Sequence, residues 1–427
     1  MKKVLIVCPS YPPEGGGGTT RFLKFSKYLV DYGWQSVIVT MQTNASGVYA
    51  PYLLKEVPEI IEVHHIIQVN KAGYLYSNVQ VYWKQFSAAV FRRFVLPFLV
   101  PDQYILRLPK TVVRSVKLIR RKKMQVLISS SPCHSIQLAG YLIKKITKKP
   151  WVLDFRDGWI ENVFVRPKNK IKYRIEYMLE AVCLRNCDKI IVTTKEHKEK
   201  LLLFFGDILR HKIVVITNGY DTEDFENTFE EQRNKLVMSY TGSLGYNRMP
   251  TFFLESLKAA TLKKLGLKKD LIVNFYGASS HRARDEVVRL GLEGLVNLKD
   301  QIKRNQCINV MVNSDILLDF LSAERGSDHT ISGKLFEYLR AGKLILAFCD
   351  EGPEATLIRN TKSGVVVGTK DVDEATEIIL DLYDKWRNGG LEAGSNESTV
   401  QQFDRKELTK KLASLLDTLL DNQENHV

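Results

Sequence analysis

Short runs of hydrophobic residues recur along the chain and alternate with amphipathic segments. The runs are rich in β-branched residues and lack the apolar–polar alternation of half-exposed strands, so they predict parallel strands that are covered on both faces. The predicted strands are Val4–Val7, Ser36–Thr40, Val126–Ser129, Trp151–Asp154, Lys189–Thr193, Ile213–Ile216, Leu236–Tyr240, Leu271–Tyr276, Val296–Lys299, Ile316–Phe320, Leu344–Phe348 and Val365–Val367. Segments of helical period intervene, for example Thr20–Tyr32, Thr111–Lys122, Thr251–Leu265 and Asp371–Lys385. Alternating strands and helices predict doubly wound α/β sheets.

The number of predicted strands indicates two sheets and therefore two Rossmann-like domains. The boundary is predicted within the turn-rich stretch Ile216–Phe225, which a charged segment follows. We therefore expect a first domain over residues 1–217, a second over residues 218–395, and a terminal helix with its tail over residues 396–427. Helical period at Phe403–Leu420 supports that last helix.

Composition excludes several classes of protein. The 427 residues are 44% hydrophobic and 26% charged, as in ordinary globular chains, and the net charge of +14 favours anionic partners. Nucleic acid is not the expected partner, because the Lys and Arg residues are dispersed and no helix-turn-helix, zinc or RNA-binding signature is present. The six cysteines do not have the spacing of a zinc site, so we expect reduced thiols in a cytoplasmic protein.

Contact with a membrane is expected to be peripheral. The first apolar run is too short for a signal peptide, and the two long uncharged stretches are too polar to span a bilayer. Segment Tyr74–Pro101 mixes eight Tyr, Trp and Phe residues with Lys84, Arg92 and Arg93. This composition suits either an anionic membrane interface or a core helix packed on the first sheet, and the sequence leaves both readings open.

Two candidate motifs follow predicted strands of the first domain. Glycine-rich Glu14–Arg21 opens a helix, where backbone N–H groups attract anions, although a merely flexible loop has the same pattern and the dinucleotide-binding spacing is absent. Asp154–Trp159 ends a strand at the edge of the sheet that faces ligands. A carboxylate there can bind sugar hydroxyls or accept a proton, whereas a structural Arg156–Asp157 pair is the alternative.

A third motif, Ser332–Lys343, is the most specific in the chain. Ser332 and Gly333 are placed to begin a helix whose first N–H groups point outward, and Glu337 follows one turn later, about 6 Å along the axis. Diphosphate at the N-terminus and a ribose diol at the carboxylate make one consistent nucleotide ligand. A helix that is merely capped is the alternative.

With these motifs in order, the chain resembles the family-4 retaining glycosyltransferases of the GT-B fold. It looks most like the fucosamine-transferase-like subgroup of bacterial cell-surface polysaccharide synthesis. Further marks of the resemblance are the segments Ser129–Gly140, Val192–Leu201, Ile216–Phe225, Tyr240–Arg248 and Ser363–Gly368. The resemblance implies two Rossmann-like domains that face a central cleft, closing about Asn218–Tyr220, with the C-terminal helix returning to the first domain.

The resemblance also assigns roles to residues of this sequence. Glu337 matches the second acid of the family's E-x7-E motif, which binds the donor ribose. The donor diphosphate is assigned to Gly16, Gly17, Arg248, Ser332, Gly333 and Lys334, and Asp157 together with Arg248 is assigned to catalysis. The first acid of the motif is replaced by His329, and Ser243 stands where many relatives carry Arg. We therefore consider Asp328, His329 and Thr330 as donor-sugar contacts, with Glu324 as a further substitute for the missing acid.

The activity implied is that of a retaining hexosyl or glycosyltransferase that needs no metal. The donor would be a nucleotide-diphosphate sugar, expected to be UDP-linked, and the acceptor a lipid-linked or saccharide molecule of capsule, O-antigen or exopolysaccharide synthesis. Such an enzyme would work at the cytoplasmic face of the inner membrane; its oligomeric state is not indicated. A nucleotide-sugar epimerase of the same fold and a non-catalytic scaffold of a polysaccharide-synthesis complex remain alternatives.

Overall fold

The structure is a computed structural model, and it describes residues 1–41, 49–66, 99–162, 166–167, 169–226, 228–229, 233–244, 250–277, 281–321, 329–368, 371–392, 394 and 397–424. These residues form two compact units. The first comprises Met1–Thr217 with Arg405–Val427, and the second comprises Asn218–Asp404. Within the described ranges, no helix combines the length and the apolar character that crossing a membrane requires.

The first unit contains a parallel sheet of seven strands in the order β3-β2-β1-β4-β5-β6-β7. Its strands are β1 (Lys2–Cys8), β2 (Trp34–Thr40), β3 (Glu62–His65), β4 (Val126–Ser131), β5 (Trp151–Phe155), β6 (Lys189–Val192) and β7 (Ile213–Val215). Its helices are α1 (Gly17–Leu29), α2 (Leu108–Lys122), α3 (Ser135–Thr147), α4 (Lys170–Asn186), α5 (Lys195–Phe205) and α14 (Arg405–Glu424).

Both faces of this sheet are covered, which explains its continuous hydrophobic strands. Side chains of α1 and α14 pack with one set of strand residues, and side chains of α2, α3, α4 and α5 pack with the other set. Helix α14 contacts α1, so the chain returns to the first unit after completing the second. The predicted return of the C-terminal helix to the first domain is thereby confirmed.

The second unit contains a parallel sheet of six strands in the order β10-β9-β8-β11-β12-β13. Its strands are β8 (Leu236–Thr241), β9 (Leu271–Tyr276), β10 (Val296–Lys299), β11 (Ile316–Phe320), β12 (Leu344–Phe348) and β13 (Gly364–Val367). Its helices are α6 (Thr251–Lys263), α7 (Leu267–Asp270), α8 (His281–Arg289), α9 (Arg304–Val312), α10 (Gly333–Ala341), α11 (Pro353–Thr361), α12 (Val372–Arg387) and α13 (Glu397–Val400).

The doubly wound α/β fold predicted from the sequence is confirmed. Each predicted strand coincides with an observed strand to within two residues at either end. Strand β3 was not predicted, because its four residues are only half-buried and lie at the edge of the sheet, without a hydrophobic run. The terminal segment was expected to begin at residue 396, but helix α13 lies in the second unit and the return to the first unit begins at Arg405.

Candidate functional site

The N-terminus of α10 lies where the third sequence motif predicts it. Ser332 is the N-cap residue, but its side chain makes no capping hydrogen bond; its backbone N–H donates to Oε1 of the buried Glu354 at 3.3 Å. A Cβ atom at Gly333 would meet no atom within 4 Å, so the space in front of this helix start is open. The first N–H groups of a helix have no partner within the helix itself, so a helix start of this kind is a suitable place for an anion.

The side chain of Lys334 contacts two residues of neighbouring strands. Its Nζ lies 2.8 Å from Oδ1 of Asp319, at the end of β11, and 3.7 Å from the centroid of the Tyr240 ring. Asp319 is almost completely buried, and the ammonium group of Lys334 compensates the negative charge that it carries there. The family resemblance assigns the diphosphate to the backbone amide of Lys334, not to this side chain.

Glu337 is held by a neighbour that the sequence does not identify. Arg304, the first residue of α9, places Nη2 at 2.8 Å from Oε1 of Glu337 and at 2.6 Å from Oδ2 of Asp224. Burial of Arg304 disfavours its charge, but the two carboxylates outweigh this effect and raise its pKa. The guanidinium thus fixes one oxygen of the Glu337 carboxylate in place.

The remaining donor residues of the second unit fall into two groups. His329 is fully buried and Thr330 is half-buried, so a sugar contact by His329 would require its surroundings to move. Arg248, Asp328 and the substitute Glu324 lie outside the described residues.

The loop that leads toward Arg248 is fixed where it leaves β8. A Cβ atom on Gly277 would come within 1.9 Å of the carbonyl oxygen of Gly242, so only glycine allows this approach. The N–H of Gly242 also donates to the carbonyl of Tyr276 at 2.8 Å. Residues 242–244 therefore leave the strand in a defined direction.

In the first unit, the glycine-rich motif forms the start of α1. Gly16 is the N-cap residue with a φ of 99°, a left-handed conformation that favours glycine, and a Cβ atom on Gly17 would meet nothing within 4 Å. A Cβ atom on Gly18 would come within 2.3 Å of the Arg156 guanidinium. The second motif therefore places a cation against the helix start of the first motif.

The two aspartates of the second motif have different surroundings. The side chain of Asp157 is 44% exposed, and its Oδ2 lies 3.8 Å from Nε of Arg156, a separation too long for more than a weak pair. Asp154 is fully buried, and its Oδ1 accepts a hydrogen bond from Arg21 at 2.9 Å. Asp157 is thus the carboxylate of this motif that solvent and ligands can reach.

The loop that carries Asp157 is anchored from below by buried acids of α4. Trp159 Nε1 donates to Glu176 at 2.8 Å, and the N–H of Ile160 donates to Glu180 at 3.0 Å. Glu161 is also buried and lies 2.7 Å from His197. Burial and the nearby Glu161 raise the pKa of Glu180, which favours its protonated form.

Ring stacking adds to this support. The ring of His134, next to the N-terminus of α3, stacks on Trp159 at a centroid distance of 4.6 Å. Burial lowers the pKa of His134 to about 4, so the imidazole is neutral at physiological pH. The Asp157 loop therefore rests on a base of closely packed, buried side chains.

The described residues show neither a metal-binding cluster nor a disulfide. Among the described residues, no group of three or more His, Cys, Asp or Glu side chains is placed to hold a metal ion. The six cysteines are free thiols, and burial raises the pKa of Cys187 to about 12 and that of Cys307 to about 11.

Sequence reasoning missed Asp319, Arg304 and Asp224. Asp319 carried a usable signal, because it lies at the end of a predicted strand, at the edge of the sheet that faces ligands. Arg304 and Asp224 carried none, since they meet Glu337 only through tertiary structure.

Comparisons with known proteins agree with the fold. Residues 15–224 match the model of Glycosyltransferase Family 4. The chain is similar to the crystal structure of a glycosyltransferase from Rickettsia africae (TM-score 0.66, 17% identity), with 99% of both chains covered. It is similar to sucrose-phosphate synthase from Thermosynechococcus elongatus (TM-score 0.66, 12% identity), with 99% of this chain and 100% of that chain covered.

The fold is also shared with a different class of enzyme. A putative UDP-N-acetylglucosamine 2-epimerase from Listeria monocytogenes matches with a TM-score of 0.57 and 12% identity, covering 99% of this chain and 98% of that one.

No curated protein sequence matches the chain at a significant level. The chain thus has the two Rossmann-like domains of the GT-B fold, and residues 15–224, just under half of its length, match the model of Glycosyltransferase Family 4.

Proposed function

We propose that this protein transfers a sugar from a nucleotide-diphosphate sugar to a lipid-linked or saccharide acceptor, with retention of configuration. We further propose that the donor is UDP-linked, and that the pathway is the synthesis of a bacterial cell-surface polysaccharide such as capsule or O-antigen. The resemblance of the ordered motifs supports these finer assignments. The match of residues 15–224 to family 4 supports the reaction class.

One observation carries the proposal: the open N-terminus of α10 with the fixed Glu337 one turn inside it. Diphosphate oxygens at the amides of Gly333 and Lys334 would face the positive end of the helix dipole. In this proposal the Glu337 carboxylate, whose Oε1 is held by Arg304, binds the ribose hydroxyls. A single helix binds both the diphosphate and the ribose of the nucleotide in this proposal.

The chemistry follows from where negative charge develops. Cleavage of the bond between sugar C1 and the β-phosphate oxygen builds charge on the departing diphosphate, which the helix amides and Arg248 stabilise in this proposal. The acceptor oxygen bonds to C1 from the same face, and the departing phosphate takes the acceptor proton. Asp157, an exposed carboxylate, positions the acceptor or stabilises the cationic sugar ring. Gly16 and Gly17 remain proposed contacts of the donor phosphates.

Turnover is the direct test. The purified chain is incubated with a panel of nucleotide-diphosphate sugars and lipid-linked acceptors, while nucleotide release and the glycosylated product are measured. We expect release that depends on the acceptor and a product with the anomeric configuration of the donor. An epimerised nucleotide sugar without transfer would support the epimerase instead, and an absence of turnover over the whole panel would favour the scaffold.

Metal dependence gives a second test of the leaving-group account. In the proposal, backbone amides and a cationic side chain stabilise the departing diphosphate. We therefore expect the turnover rate to stay within about twofold of its starting value after treatment with EDTA. Rates are compared before chelation, after chelation, and after addition of excess Mg²⁺ or Mn²⁺. Complete loss with chelator that either metal restores would show that the diphosphate depends on a metal.

A further inference from the structure

Helices α2, α3 and α4 form one layer on the first sheet, and their outward side carries positive charge alone. Helix α2 contacts α3, and α3 contacts α4. Their exposed charged residues are Lys110, Arg114, Lys117, Arg120, Arg121, Lys145, Lys170, Arg174 and Arg185. Helices α2 and α3 contain no Asp or Glu, and both glutamates of α4 are buried. None of the three helices therefore exposes a carboxylate.

The exposed side of α4 is also apolar. Ile171, Ile175, Met178 and Val182 have side chains that are between 37% and 74% exposed. At about 100° per residue these four lie within an arc of about 60°, and they extend for about 16 Å along the helix. Globular proteins seldom leave such a stripe of large apolar residues in water without a partner.

On helix α4, the distribution of acidic and apolar residues is thus the reverse of that on a usual surface helix. Its acids point inward, where Glu176 accepts from Trp159 and Glu180 accepts from the N–H of Ile160. Its outward face combines the apolar stripe with Arg174 and Arg185. A surface helix would normally bury its apolar residues and expose its acids.

The same character extends over the neighbouring helices. Leu142 and Ile146 are exposed on α3 one turn apart, next to Lys145, and Val113 is exposed on α2 next to Arg114. Apolar and cationic side chains are therefore interleaved across the whole face. We name this face, formed by the exposed residues of α2, α3 and α4, the basic-apolar face.

We propose that the basic-apolar face binds the surface of an anionic phospholipid bilayer, with the α4 stripe entering the interface and the flanking Lys and Arg residues contacting lipid headgroups. Charge argues against a second copy of the chain, because two faces without a carboxylate repel each other. The exposed Ile, Met and Val side chains argue against nucleic acid, because its charged backbone offers little apolar surface to a stripe of this length. A bilayer interface satisfies both parts of the face at once.

This inference rests on the proposed function only for its purpose, which is to bring the first unit to a lipid-linked acceptor. The α4 stripe is distinct from the contact expected at Tyr74–Pro101, of which residues 74–98 lie outside the described residues, but Arg120 and Arg121 are near that segment in the sequence and belong to both expectations. Vesicle binding requires neither donor nor turnover. A chain that does not bind vesicles would therefore contradict this inference without affecting the proposed donor site. A chain that does not bind nucleotide would contradict the donor site without affecting this inference.

The test is sedimentation of the full chain with vesicles of phosphatidylcholine, with and without phosphatidylglycerol, at two salt concentrations. Two variants alter the face: Ile171→Ser with Met178→Ser removes apolar contact, and Arg174→Glu with Arg185→Glu reverses charge. The matched control is Leu262→Ser with Val288→Ser, which changes two exposed apolar residues on helices of the second unit. Circular dichroism and thermal midpoints confirm that each variant is folded.

We expect the native chain and the control to bind vesicles that contain phosphatidylglycerol, and to bind less at high salt. Each α4 variant should reduce the partition coefficient at least about tenfold. Native-like binding by both variants would overturn the proposal, as would a loss confined to Arg92→Glu with Arg93→Glu. A native dimer that Ile171→Ser with Met178→Ser converts to monomer would also overturn it, by assigning the stripe to a second copy.

Discussion

Replacing Glu337 by Ala is expected to weaken binding of a nucleoside diphosphate by about 1–3 kcal/mol, which is roughly 5-fold to 150-fold in Kd. The carboxylate is the proposed partner of the ribose hydroxyls, and its removal leaves those hydroxyls without an acceptor. It also removes one of the two acids around Arg304, so the guanidinium is left paired with Asp224 alone. Isothermal titration calorimetry with UDP measures the change.

Two further variants separate the ribose contact from the support of Arg304. Glu337→Gln keeps a hydrogen-bond acceptor but removes the charge, so its loss of affinity should be smaller than that of Glu337→Ala. Asp224→Asn weakens the hold on Arg304 from its other side without touching the proposed ribose ligand, and we expect a loss below about 1 kcal/mol. Unchanged UDP affinity in Glu337→Ala would remove Glu337 from the donor site.

The fold could be predicted because its signals are local. A buried parallel strand such as β12 is a run of apolar residues, and the turn-rich stretch after residue 216 marks the end of the first unit. Strand β3 has no such signal, because an edge strand with one neighbour buries less surface and tolerates Glu62, His64 and His65. The return of the chain at Arg405 depends on packing of α14 against α1, which no local pattern encodes.

The site could be predicted only in part. Glu337 was identified because it shares a helix with the residues that begin it. The pairs of Arg304 with Glu337 and of Lys334 with Asp319 join different elements, and their partners come together only in the folded unit. The Asp154–Trp159 motif shows the same limit: its two aspartates look alike in the sequence, and burial alone distinguishes them.

The difference in burial between Asp154 and Asp157 leads to the prediction with the largest effect on stability. Asp154→Ala is expected to lower the free energy of unfolding of the first unit by about 3–5 kcal/mol. The carboxylate is fully buried between Nη2 of Arg21, at 2.9 Å, and the hydroxyl of Ser130, at 2.6 Å. Its removal would leave the buried Arg21 guanidinium with the backbone carbonyls of Ile216 and Thr217 but with no opposite charge from this strand.

Urea unfolding followed by tryptophan fluorescence measures this change, because Trp34, Trp151 and Trp159 are all buried in the first unit. The matched control is the double variant Arg21→Met with Asp154→Leu, which removes both charges together and should cost less than Asp154→Ala, since no buried charge is left unpaired. Asp157→Ala, at the exposed carboxylate three residues away, should change stability by less than about 0.5 kcal/mol. Equal losses for Asp154→Ala and Asp157→Ala would contradict the structural role of Asp154.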